Sequence, residues 1–520
     1  MKKIITIFIF VLFSCAAGSF VSAQEVRVGL LSRVNEATRV NISGSSISVS
    51  FETNGNRHER AVLQGTGFFF LPDRGFYVRT GSTFSTFSQA STAAQNANEI
   101  SPAVPTYVGN GVWVLYFGRF DTEQQAAAFA ATMSAQTQRT IVSGNRRISL
   151  SDNSGLLMLF DSPYSFPQIT VPGEETFFVD GGRGLGRYRG RLELGRFRGN
   201  NITGVNVLSM NEYLYSVVPS EMPHSWHSEA LKAQAVASRT FASRRIGHHS
   251  SDGFDLCDTT CCQVFIGANN EAASTTAAVR ATTGIMIWHN GRPISANFFS
   301  SSGGHTESSE NAWVTAYPFL RGVPDPYETT GLEWTRTFTF QQLTSLAANR
   351  NIGTVTGVSL NRNSNGRVQQ LVLSGTAGTA TINGGNNVRT FFSGAGGSLP
   401  SNKFILAGED LPQNTVIQIA TANGLIPFDL RNAFVLNNSN SPTPLSNALN
   451  QLYVLGGSTS SHLLDVQQTT PPQTPGQITF IGTGHGHGVG MSQHGAHGMA
   501  RAGYSFIEIL KWYYTGVEVR

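Results

Sequence analysis

Tyr213-Leu214-Tyr215-Ser216-Val217-Val218-Pro219-Ser220-Glu221-Met222-Pro223, with Ser228 through Ile246 shortly after, decide how this chain reads. The apolar run into Pro219 reads as the end of a strand, and Pro223 as the turn out of it. Leu231, Ala233, Ala235, Val236, Ala237, Phe241 and Ala242 then form a small-residue helix that can pack closely against a sheet and stops at Gly247. Glu221 stands at that strand-to-helix junction beside apolar residues. Partial burial disfavours an ionised carboxyl, so a glutamate so placed can hold a proton near neutral pH and donate it. The competing reading is a capping or dipole partner at a helix N-terminus.

Upstream, Tyr188–Leu194 and Val205–Leu208 read as strands, as do Val26–Leu30, Val40–Ile42 and Ile47–Phe51, which alternate apolar and polar residues between Gly-Ser punctuation. Downstream, residues 330–480 are β-rich with Gly/Asn/Thr turns, and no repeat of solenoid period is present. The expected fold class is α+β and β-rich. Ser82–Pro105, rich in Ser, Thr, Ala, Asn and Gln, reads as a linker. It leads into a compact unit at 105–145: a buried strand Val112–Phe117, the turn Gly118-Arg119-Phe120, and an Ala/Gln helix Thr122–Gln136 opened by Asp121.

Lys+Arg number 36 against 32 Asp+Glu, a near-neutral balance that argues against a nucleic-acid partner. Charged residues make up only 13% of the chain, while Gly, Ser, Thr and Asn are abundant, as in exported β-rich proteins. At the N-terminus Lys2 and Lys3 precede the apolar run Ile4–Phe13, and Val21-Ser22-Ala23 supplies small residues before Gln24. This predicts a cleaved export signal over residues 1–23 and a location in the periplasm or cell envelope. The run is well short of the roughly twenty residues a spanning helix needs, and no later segment qualifies, so no transmembrane helix is expected in the mature chain. Leu12-Phe13-Ser14-Cys15 also resembles a lipoprotein box that would leave a lipidated Cys15. Cys257, Cys261 and Cys262 have no distant cysteine to pair with, which argues against a disulfide framework and for a metal site.

The segment around Glu221, followed by Glu229-Ala230-Leu231-Lys232-Ala233-Gln234-Ala235-Val236-Ala237-Ser238-Arg239-Thr240, strongly resembles the stage II sporulation protein D family. So do Asn297-Phe298-Phe299-Ser300-Ser301-Ser302-Gly303-Gly304-His305-Thr306-Glu307-Ser308, the turn Pro324-Asp325-Pro326-Tyr327, and Gly486-His487-Gly488-Val489-Gly490-Met491-Ser492-Gln493. The resemblance spans residues 25–520, with an N-terminal β-rich part at 25–100 and a catalytic part at 180–520. The 105–145 unit looks like an inserted SPOR domain, a small ferredoxin-like α/β module that binds glycan strands lacking stem peptides; an ordinary strand-helix unit of the main domain is its alternative.

The resemblance implies a peptidoglycan lytic transglycosylase acting on peptide-free glycan, with Glu221 as general acid and base and no organic cofactor. A hydrolase would need a second carboxylate, for which Asp258, Glu307, Glu310 and Asp325 are candidates. It also implies substrate contacts from Ser220, the Ser300-Ser301-Ser302 wall, His487, Ser492 and Gln493. His485 and His487 could alternatively ligate a metal, and the serine-glycine run could be a plain turn. Cys257-Asp258-Thr259-Thr260-Cys261-Cys262 resembles a metal-binding variant of the family's motif; three thiolates with His248 or His249 would make a closed Cys3His set for a structural zinc, reduced thiols being the alternative. Two rival functions remain open: a non-catalytic enhancer of a partner cell-wall amidase, and a metal-dependent wall hydrolase.

Overall fold

The computed structural model describes residues 25–409 and 476–520, apart from 54–55, 99–101, 134–137 and 164, together with six short strands between 416 and 463. The export signal and Cys15 lie outside the described residues.

Strand Glu25–Gly29 runs antiparallel to Thr203–Ser209, with Val26 opposite Leu208, and parallel to Leu256–Cys257 on its other side. These strands open a seven-stranded sheet that continues through Arg191–Gly195, Pro167–Thr170, Ser46–Thr53 and Asn56–Gln64. A ten-stranded sheet contributes to the same core: Val28, Val49, Phe51, Phe68, Phe70 and Trp113 are fully buried in one cluster. Strands with one buried face show the expected alternation of inward apolar residues.

The last four strands of the large sheet form a unit of their own. Phe76–Phe84, helix α1 (Phe87–Asn98), Ala103–Gly109, Val112–Phe120, helix α2 (Glu123–Thr132) and Arg139–Ser143 follow as β-α-β-β-α-β. Their order across the sheet is Ala103–Gly109, Val112–Phe120, Phe76–Phe84, Arg139–Ser143, all antiparallel. The linker expected at Ser82–Pro105 is therefore the end of one strand, a helix and the start of another. Its core contribution is alanine, Ala90 and Ala94 being buried four residues apart on α1, and such a face carries too little hydrophobicity to show as periodicity. The helix expected at Thr122–Gln136 is shorter: Thr122, not Asp121, caps it through a capping box with Gln125, and it ends at Thr132.

Helix α3 (Met210–Glu221) replaces the strand expected ahead of Pro219. Ser209 caps it and Glu212 returns the bond, a capping box, and Tyr213, Leu214, Val217 and Val218 are fully buried. The β-branched pair Val217-Val218 suggested a strand; burial against the sheets outweighs the few tenths of a kcal/mol that such residues cost a helix.

Helix α4 (Ser228–Arg245) belongs to two cores. Ala235 and Ala242 join the sheet core, while Ala230, Leu231, Ala233, Val236 and Ala237 join a second cluster with Met491, Met499, Ile509, Leu510, Tyr513 and Tyr514. That explains its composition: a helix covered on both sides has room for alanine where larger side chains would force its neighbours apart. A third cluster, centred on Phe338, Leu371, Phe392 and Phe480, serves the smaller sheets of residues 334–409 and 477–482. Of the β-rich stretch expected over 330–480, residues 410–475 lie outside the described residues apart from the six short strands.

Candidate functional site

Glu221 is the last residue of α3, not the first of a helix; Met222 turns extended and Pro223 cannot continue the helix. The end of α3 is held by a polar tie. Ser220 Oγ donates to the Ser216 carbonyl (2.9 Å) and accepts from Asn270 Nδ2 (2.7 Å), which also donates to that carbonyl (3.0 Å). Ser216 Oγ in turn donates to Asn270 Oδ1 (3.2 Å). Ser220, expected to contact substrate, is thus a buttress that fixes where Glu221 points. Burial pushes the Glu221 carboxyl above its ordinary pKa, opposed by hydrogen bonds from the Gln493 side chain and the Val264 backbone N–H. Gln493 is itself buried and donates to Gln234 Oε1 at 3.4 Å. It is a partner of Glu221 rather than an exposed substrate contact.

The serine-glycine segment lies beside Gln493, through pairing of Phe298–Phe299 with Met491–Ser492. Ser300 is half-buried and its carbonyl accepts from the His494 N–H at 3.0 Å. Ser301 and Ser302 turn inward and are buried, as is Ser492. Their target is Glu328. It accepts from Ser301 Oγ, from the N–H and Oγ of Ser302 (2.6 Å each), from the Gly303 N–H (3.2 Å) and from Ser492 Oγ (3.4 Å). Behind it Asp325 accepts from Ser302 Oγ (2.8 Å) and Tyr513 OH (2.7 Å). Burial, then the charge of Glu328, pushes Asp325 up to about 7. Three serines expected to face substrate, Ser301, Ser302 and Ser492, therefore bond inward to Glu328 and Asp325.

Among the acidic candidates, Asp258 accepts from Ser32, Glu307 is fully buried with Asn311, Asn363 and Gln369 as donors, and Glu310 pairs with Arg321. The carboxylate that shares the Ser492-Gln493 step with Glu221 is Glu328. It directly follows the Pro324–Tyr327 turn in sequence, but nothing local marks it.

In the histidine-glycine loop, Gly490 has φ +81° and an added Cβ would lie 2.0 Å from the Asn297 carbonyl oxygen, so only glycine lets the two segments pair. His487 sits between Phe299 and Trp313 with ring centroids 5.5 and 5.1 Å away, and its Nδ1 accepts from the Val489 N–H at 3.0 Å. Burial, then the charges of Arg389 and Arg367, pushes it down to about 3, leaving it neutral. His485 is exposed and pairs through its backbone with Ser301. One aromatic neighbour, Trp226, was missed in the sequence. Trp226, five residues past Glu221, stacks on His497 (4.6 Å, 15°) and meets His494 edge-on (4.9 Å).

The cysteine loop closes on itself just ahead of Val264, whose N–H meets Glu221. One ligand atom from each of His249, Cys257, Cys261 and Cys262 lies within 4.8 Å of the others. A tetrahedral centre with zinc–sulfur bonds of about 2.3 Å needs ligand separations of roughly 3.8 Å, so the four fit one ion after a small contraction. Of the two expected histidines it is His249 that converges, its Nε2 lying 3.7 Å from Cys261 Sγ. Its Nδ1 meets Asp252 at 3.0 Å, the carboxylate–histidine support usual behind a metal ligand. Hydrogen bonding with Cys262 above all, and then with Thr259, pulls the Cys257 thiol down to about 4 against the effect of burial. Among the described residues this is the one group of three or more histidine, cysteine or acidic side chains whose ligand atoms converge, so His485 and His487 form no such group.

The stage II sporulation protein family model matches residues 198–289, a span that holds Glu221, α4 and all four converging ligands. The chain is 31% identical over 309 residues to a protein named amidase enhancer from Bacillus subtilis (strain 168), covering 59% of this chain but only 40% of that protein. It is 28% identical over 330 residues to stage II sporulation protein D of the same organism, and 29% over 337 residues to that of Bacillus amyloliquefaciens, covering 61% of this chain and 75% of each relative.

Proposed function

We propose, from the stage II sporulation protein D domain that this chain carries over residues 198–289, that it acts on the cell wall as a lytic transglycosylase of peptide-free peptidoglycan glycan. The observation that supports it most is the Glu221 carboxyl, pushed toward its protonated form by burial yet held by two donors, the Gln493 side chain and the Val264 N–H. Protonated Glu221 donates to the oxygen bridging N-acetylmuramic acid C1 and N-acetylglucosamine C4. The C1–O bond breaks, the glucosamine leaves with its 4-hydroxyl restored, and an oxocarbenium-like centre forms at C1. The Glu221 carboxylate then takes the proton of the muramoyl C6 hydroxyl as O6 bonds to C1, which closes a 1,6-anhydro ring and regenerates the acid. One carboxyl group suffices. Glu328, gripped by five donors, serves the wall that positions Gln493.

His249, Cys257, Cys261 and Cys262 would hold a zinc ion, which would supply a structural clamp, since four protein ligands would leave no position for a reacting water. The clamp matters because Val264, two residues past Cys262, carries the N–H that meets Glu221. The β-α-β-β-α-β unit from Phe76 to Ser143 is proposed as the ferredoxin-like, SPOR-type module that holds the strand; its 4-1-3-2 strand order supports this. Export through residues 1–23, with or without lipidation of Cys15, would deliver the protein to the envelope. Among the described residues no helix is long and apolar enough to cross a membrane.

Amidase-treated peptidoglycan glycans incubated with the protein and with Glu221→Gln, analysed by mass spectrometry, test the reading. Ends in 1,6-anhydro-muramic acid are expected from the unsubstituted protein alone, and reducing ends would replace the lyase by a hydrolase. A second reading rests on the relative named amidase enhancer: the same cleft binds glycan and recruits an amidase. Absence of cleavage, with faster amidase turnover on adding the protein, would establish that one instead.

A further inference from the structure

We infer that Trp226, His494 and His497 form a sugar-binding subsite next to Glu221, a stacking platform for one pyranose residue adjoining the cleaved bond. The inference rests on the reading that the cleft takes glycan.

Trp226 lies on the loop between α3 and α4, which begins immediately after Glu221, so its position is coupled to the reacting carboxyl. The loop is tight: the Trp226 N–H donates to the Pro223 carbonyl at 3.0 Å. Part of the indole packs against the second apolar cluster, yet the residue stays half-exposed. His497 lies nearly parallel to it, and His494 meets it edge-on.

Both histidines lie on helix Gln493–Arg501, one turn apart on one face. Gln493, the partner of Glu221, precedes His494 by one residue and His497 by four, so the two rings lie about 1.5 and 6 Å along the helix from the carboxyl's partner.

The chemistry suits a carbohydrate and little else. A pyranose has an apolar C–H face, which an indole matches, and equatorial hydroxyls around its rim, which neutral imidazoles bond as donor or acceptor. Burial pushes both histidines below their ordinary pKa and keeps them neutral at pH 7. His497 Nδ1 accepts from the His227 N–H (3.3 Å) and His494 Nδ1 meets Thr330 Oγ1 (3.4 Å). Each bond fixes its ring and leaves Nε2 as the second polar atom. A purely structural aromatic cluster would be apolar throughout and buried; this one is half-exposed and carries two ring nitrogens.

The test is titration calorimetry with peptide-free glycan oligosaccharides, prepared by amidase treatment, in the Glu221→Gln background so that nothing is cleaved. Trp226→Ala is expected to weaken binding about tenfold, the worth of one aromatic stack. Trp226→Phe should stay within about threefold of the parent while abolishing most of the glycan-induced change in indole fluorescence; it also keeps the packing against the apolar cluster. Equal affinity for parent and Trp226→Ala, or a fluorescence change that survives Trp226→Phe, overturns the subsite and leaves the glycan reading standing. No binding by the parent itself overturns the glycan reading and the subsite with it.

Discussion

Gly495 sets helix propensity against tertiary packing. It lies in the first turn of helix Gln493–Arg501, where alanine is worth up to about 1 kcal/mol more than glycine, so a secondary-structure argument makes Gly495→Ala stabilising. In the structure an added Cβ would sit 2.1 Å from Tyr513 OH and 2.2 and 2.4 Å from the two carboxylate oxygens of Asp325. All three atoms belong to buried groups already bonded to one another, so none can swing into solvent. Overpacking a filled interior costs about 1–3 kcal/mol, and breaking a hydrogen bond to a charged group about 1.5–3 kcal/mol. Set against the propensity gain, the net is a destabilisation of about 2–4 kcal/mol. Urea unfolding followed by circular dichroism should show the midpoint falling. Cleavage should fall as well, because Asp325 shares Ser302 and Ser492 with Glu328, and Gln493 follows Ser492. A midpoint that is unchanged or raised would refute the packing argument and leave propensity in charge.

Further outcomes concern the acid, its partner and the metal set. Glu221→Gln should reduce cleavage by about 10²–10⁴-fold, the usual worth of a positioned acid–base group. The same substitution should also stabilise the fold at neutral pH: a carboxyl with a raised folded-state pKa leaves the folded protein holding more protons than the unfolded chain, so stability falls as pH rises through that window. Melting curves should therefore separate the two proteins at pH 7 and converge below the ordinary carboxyl range. Gln493→Leu removes a donor that lowers the Glu221 pKa, so the alkaline limb of the cleavage profile should move to higher pH; an unmoved limb would mean that Gln493 does not set it. Metal analysis of purified protein should find one zinc per chain. Chelation or Cys257→Ser should lower the melting temperature, whereas His248→Ala, outside the converging set, should leave metal content unchanged.

Much of the site was legible as residue types at fixed spacing. Three cysteines within six residues and a nearby histidine pair announced a ligand set, because a loop that short brings its own thiols together whatever the rest of the chain does. Glu221 stood out through the resemblance of its segment to the stage II sporulation protein D family; its local pattern alone fitted a capping or dipole partner equally well. Local reading failed where burial decided conformation. Val217-Val218 suggested a strand but form a helix covered by the sheets, and the alanine face of α1 passed for a linker. The family resemblance implies a substrate-facing wall at Ser300–Ser302; here the buried Asp325 and the half-buried Glu328 turn Ser301 and Ser302 inward.

By itself, then, the sequence determined the chemistry available to this protein: one perturbed glutamate, a thiolate-rich loop, and a glycine-spaced histidine segment able to approach another backbone. The tertiary structure alone decided which of these act together. Val264 and Gln493 reach Glu221, Ser492 reaches Glu328, and Trp226 meets His494 and His497, each across a gap that no local pattern spans. The physical reason is that desolvation and hydrogen bonding are properties of a place, and a place in this fold is built by segments drawn from both ends of the domain.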